Sequence, residues 1–89
     1  MDHRGSVKVP DGKLVEVTVS GDRRIESAQV TGDFFLEPPD ARTDLEAAIE
    51  GHSFEVDRET LLEAIESVDA RFIGFDTDHL VEATLEAIE

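Results

Sequence analysis

Every second residue from Val15 to Val19 is a valine. Lys13–Ser20 alternates so that Val15, Val17 and Val19 share one face while Leu14, Glu16 and Thr18 share the other. Such alternation defines a half-buried strand. A slip of one residue would put all three valines in water, so the register is tightly constrained. Such a strand needs neighbours, and turn chemistry supplies them. Pro10-Asp11-Gly12 presets a tight turn, which makes Ser6–Val9 the preceding strand. Gly21-Asp22 turns the chain again, and Arg24–Gly32 returns as a third strand. Ile25 is out of phase with Ala28 and Val30, and a bulge near Glu26-Ser27 is predicted to restore one apolar face. The expected unit is a three-stranded antiparallel meander with one face left to cover. Residues 1–5 are expected to be a flexible N-terminus, and residues 6–89 a single domain.

Helices must cover that face. Pro38-Pro39 ends the extended structure, and Asp40 is placed to cap a helix over Ala41–Glu50, with Leu45, Ala48 and Ile49 inward and Gly51 as its stop. His52–Val56 connects, with Phe54 and Val56 inward. Asp57 caps Arg58–Val68, whose Leu61, Leu62, Ile65 and Val68 recur at helical spacing. Asp69–Phe75 links, with Phe72, Ile73 and Phe75 supplying bulk. Asp76 caps Thr77–Ile88, which presents Leu80, Val81, Thr84, Leu85 and Ile88. Strands followed by helices make the class α+β, a meander covered on one face by about three helices.

Charge narrows the function. The 89 residues hold 22 acids and 8 bases, a net charge of −14. The imbalance is uneven: residues 1–43 are near −2 and residues 44–89 near −12. Such a surface repels phosphate backbones, so nucleic-acid binding is not expected. It fits either a basic partner or a solvated surface adapted to high salt, where screening removes self-repulsion. The second reading points to a salt-loving host. No apolar run can span a bilayer, and Met1–Ser6 has no apolar signal core, so a cytoplasmic protein is expected. The absence of cysteine removes thiolate metal sites and cysteine nucleophiles together.

Few residues suggest chemistry of their own. Asp76, Asp78 and His79 resemble a hard-metal cluster but lack the spacing of a calcium loop, and a helix start explains them more simply. His3, His52 and His79 are scattered away from any nucleophile with an orienting acid. The six glycines are spread singly, without a phosphate loop. Neither catalytic nor metal-binding residues are expected. Lys13, just after the first turn, suits either a contact with a phosphate or carboxylate or an ordinary edge charge. Gly32-Asp33-Phe34-Phe35 is more distinctive. Alternation would send one phenylalanine inward and the other outward, so the pair either plugs the core or leaves one ring for a partner. Gly32 permits close approach or a positive φ, and Asp33 suits an Asx-type bond to the next turn.

Val7-Lys8-Val9-Pro10-Asp11-Gly12-Lys13-Leu14-Val15, Ile25–Phe35 with its trailing Pro38, then Leu45-Glu46 and Ile49-Glu50-Gly51 resemble the accessory domain of lipoate–protein ligases. In bacteria that domain usually follows the catalytic domain; in many archaea it is a separate small subunit. The resemblance spans residues 7–85. It implies a small antiparallel sheet with helices on one side, and a non-catalytic role beside a catalytic large subunit. That subunit uses ATP, Mg2+ and lipoate to form lipoyl-adenylate, then lipoylates a lysine on acceptor domains. Under this reading Lys13, Gly32, Asp33, Phe34 and Phe35 are the candidate partner interface, and this chain alone binds no cofactor. The alternative is a stand-alone acidic interaction module without a ligase role; a small hydrolase using surface carboxylates is a third reading.

Overall fold

The computed structural model describes residues 2–9, 13–33 and 35–88. The predicted turn Pro10-Asp11-Gly12 and Phe34 lie outside the described residues. Strands β1 (Asp2–Lys8), β2 (Leu14–Gly21) and β3 (Ile25–Gly32) form an antiparallel sheet in the order β1-β2-β3. Val15, Val17 and Val19 are fully buried, as their alternation requires. Ser20 pairs with Ser27 but Gly21 pairs with Ile25, which leaves Glu26 as an extra residue. This is the predicted bulge, and it buries Ile25, Ala28 and Val30 together.

The first strand starts earlier than expected. It begins at Asp2, opposite Ser20, so Asp2–Gly5 are paired rather than a loose extension. Gly5 is the physical reason. A Cβ there would stand 2.1 Å from the Ala83 carbonyl oxygen and 2.5 Å from the Ala87 nitrogen, so the third helix lies directly on the strand.

Helices α1 (Ala41–Ile49), α2 (Arg58–Glu66) and α3 (Thr77–Ile88) supply the other layer, giving an α+β fold. Helix α3 packs on β1 and β2, α1 flanks β3, and α2 rests against α1 and α3. Leu45, Ile49, Leu61, Ile65, Leu80 and Val81 meet the valines in one core. Asp57 caps α2 by accepting the Thr60 N–H at 2.9 Å. Asp40 does not cap α1 through its side chain. The chain enters α1 through a turn in which the Pro38 and Pro39 carbonyls already accept the N–H groups of Ala41 and Arg42. Helix α2 also ends two residues early, at Glu66.

A second sheet went unforeseen. Phe35–Glu37 (β4) pairs with Arg71–Ile73 (β5), a segment expected only to link. Three-residue strands are too short to show a period, and their pairing spans more than thirty positions. No helix among the described residues is long and apolar enough to cross a membrane.

Candidate functional site

The start of β2, the end of β3 and the β4–β5 pair converge at one end of the sheet. Val9 donates its N–H to the Lys13 carbonyl at 2.7 Å, which closes the first hairpin. Asp33 donates its N–H to the Leu14 carbonyl at 3.0 Å and extends the β2–β3 ladder. Phe35 then pairs with Ile73. Lys13, Gly32, Asp33 and Phe35 are therefore brought to one end, and Phe34 lies outside the described residues.

Each occupies a different position there. Phe35 is 69 % exposed, while its neighbour Leu36 is buried. The core-plug reading of Phe35 is thus corrected: Leu36 takes the inward place and Phe35 points to water. Among the described residues, Phe35 and Leu14 are the exposed large apolar side chains, and both stand at this end. Gly32 has a φ of 151°, which side chains rarely adopt. It shares a shallow groove with Phe35, Leu36, Pro39 and Arg42. The expected Asx-type bond from Asp33 is not made among the described residues; its backbone holds the ladder instead.

Lys13 is half-buried, and a long-range contact explains why. A Cβ at Gly74 would lie 3.0 Å from the Lys13 Nζ and 3.2 Å from its Cδ. The lysine stem therefore runs across the bare backbone of Gly74, whose φ is 95°. Apolar stems commonly cover such surface while the ammonium stays wet. Lys13 has no carboxylate within ion-pair distance among the described residues, whereas Arg4, Arg42 and Arg58 each have one. With Lys8 opposite Leu14, Arg42 in the groove and Arg71 on β5, this end carries four of the eight bases, beside the exposed acids Asp33 and Glu37. The result is an exposed phenylalanine and leucine edged by charges of both signs, an arrangement suited to docking a protein surface.

Sequence reasoning singled out Lys13, Gly32, Asp33 and Phe35 but not Leu14, Gly74 or Arg42. Leu14 was legible as an apolar residue on the polar face of β2. Gly74 and Arg42 carried no local signal, because distant pairing brings them in.

The metal-like cluster resolves into a helix start. The Asp76 N–H donates to His79 Nδ1 at 3.1 Å, and the His79 N–H donates to the Asp76 carbonyl. Among the described residues no three His, Asp or Glu side chains assemble into a metal-ligand group.

Fold and site together define a two-layer α+β domain whose sheet end exposes Phe35 and Leu14 among charged residues. No protein family matches the sequence, and no curated protein matches it. A solved structure does. A chain from the archaeal lipoylation system of Thermoplasma acidophilum, a bi-partite lipoate protein ligase and its E2 lipoyl domain, superposes with a TM-score of 0.75. The match covers 94% of this chain and 94% of that one, at 24% sequence identity. The likeness is one of fold.

Proposed function

We propose that this chain is the non-catalytic accessory subunit of a two-part lipoate–protein ligase, needed with a separate catalytic subunit for ATP-dependent activation of lipoate to lipoyl-adenylate. The observation that carries this reading is the fold likeness, which spans nearly the whole of both chains and leads to a bi-partite ligase system. In this reading ATP, Mg2+ and lipoate are bound by the catalytic partner.

A small domain assists such a partner by ordering its loops and excluding water when the two come together. Phe35 is the apolar anchor, with Phe34 beside it in sequence. Gly32 allows close backbone approach, Asp33 holds the ladder, and Lys13 offers its charge to the partner. Helices α2 and α3 carry much of the acid and are kept away from the contact. Charge reversal of Glu63 and Glu82 therefore leaves binding unchanged.

The test is lipoyl-adenylate formation by the catalytic subunit of the same organism, with ATP, Mg2+ and lipoate, at high salt, with and without this chain. Adenylate only when both are present is the expected result. Equal activity of the catalytic subunit alone overturns the reading and leaves an acidic interaction module.

A further inference from the structure

The two outer edges of the main sheet are treated differently. Along β3 the edge is covered. Ile25 exchanges hydrogen bonds with Gly51 and His52 at 2.8 and 2.9 Å. The Ala28 N–H donates to Glu50 Oε2 at 3.0 Å, and the Val30 N–H donates to Glu46 Oε2 at 2.8 Å. Strand β1 has no such cover among the described residues.

Which of its groups face outward follows from the register. Val30 turns its N–H away from β2, so Val17, paired with Val30, bonds to its other neighbour, Gly5. By alternation Gly5, Val7 and Val9 face β2, as the Val9 bond to Lys13 shows. Asp2, Arg4, Ser6 and Lys8 then point their N–H and C=O groups out of the sheet. A bare edge of this kind is a template for another strand.

We infer that this edge pairs with β1 of a second copy, antiparallel about a two-fold axis at Gly5. Charge and the number of paired groups together select that register. Centred on Gly5, Asp2 faces the partner's Lys8 and Arg4 faces the partner's Ser6, with all outward groups in phase. Moving the centre two residues toward Asp2, to His3, pairs only Asp2 with the partner's Arg4 and leaves Ser6 and Lys8 without partners; moving it one residue sets Arg4 against the partner's Arg4. Shifting it toward Lys8 sets Arg4 against the partner's Lys8. Both oppose like charges directly, which destabilises a strand pair. The contact is isologous and closed, so it stops at a dimer. A Cβ at Gly5 would lie 2.9 Å from the Glu86 Cβ, which places Glu86 near the axis with its symmetry mate. Dimerisation therefore strengthens with salt. It does not depend on the ligase reading, and Phe35, beyond β3 from β1, remains available.

Sedimentation equilibrium of the full chain up to millimolar concentration, at low salt and in about 1 M KCl, tests this. A dimer favoured by salt is expected. Asp2→Lys should weaken it about tenfold, Lys8→Asp should do likewise, and the double swap should restore it. Ser6→Pro removes an outward N–H and should abolish the dimer while leaving the circular dichroism spectrum and melting unchanged. If that variant misfolds, the swaps decide alone. A monomer throughout, or a dimer indifferent to the swaps, overturns the inference.

Discussion

The backbone N–H of Val30 donates to the Glu46 carboxylate at 2.8 Å, so a helix side chain completes the hydrogen bonding of an edge strand. Glu46 lies one turn before Glu50, which serves Ala28 in the same way. The i, i+4 spacing from α1 to its C-cap residue Glu50 thus matches the two-residue repeat of β3. Arg42 sits 3.6 Å from Glu46, but half in water, where an ion pair contributes little. Glu46→Ala is expected to cost about 1–2 kcal/mol by denaturant unfolding, since a charge-assisted bond to a half-buried N–H is lost. Arg42→Ala should cost under about 0.5 kcal/mol. Equal losses from the two would assign the stability to the ion pair instead.

This edge cover shows where sequence reading stops. The valine alternation, the bulge that rescues Ile25 and the Asp57 cap were legible because each is a relation within a few residues. Glu46 and Glu50 read only as surface acids among many, because what they bind lies on a strand sixteen and twenty-two residues away. The β4–β5 pair was hidden for the same reason. At the candidate site, Lys13, Gly32, Asp33 and Phe35 stood out by residue type. The assignment of Leu36 to the core and Phe35 to solvent required the pairing of Phe35 with Ile73.

Gly5 marks the closest approach of the two layers. Its missing Cβ leaves room for the backbone of α3 at Ala83 and Ala87, which cannot yield as a flexible side chain would. Gly5→Ala should therefore cost about 3 kcal/mol or more by urea unfolding. Ser6→Ala, one residue along on the half-exposed side, should stay within about 0.5 kcal/mol. A silent Gly5→Ala would mean that α3 can shift off β1.

Asp57 ties stability to pH. Hydrogen bonds from the Thr60 side chain and then from its backbone N–H hold the Asp57 carboxyl below the ordinary carboxylate range. The folded value is the depressed one. Its contribution is thus complete above the unfolded value of about 3.9 and is lost as pH falls through the folded value. Asp57→Asn should lower the melting temperature at neutral pH, because the amide oxygen is a weaker acceptor. The gap from wild type should narrow as pH falls beneath the ordinary carboxylate range and close once pH is below the depressed folded value. A gap that persists there would show that the carboxylate charge is not what Asp57 contributes.

Phe35 and Leu36 are adjacent and opposite in role, which makes them a matched pair. Leu36 is 9 % exposed in the core, so Leu36→Ala should cost about 2–4 kcal/mol in unfolding free energy. Phe35 is 69 % exposed, so Phe35→Ala should leave stability within about 0.5 kcal/mol. Binding to the catalytic subunit should reverse the order. A buried aromatic anchor commonly contributes about 2 kcal/mol or more to an interface, a loss of at least about thirtyfold in affinity on truncation. Lys13→Ala should add a smaller loss that shrinks as salt rises, because a rim charge acts mainly on association rate. Titration calorimetry with the catalytic subunit, beside melting of each variant alone, separates the two effects. Normal binding by a well-folded Phe35→Ala variant would move the interface away from this end of the sheet.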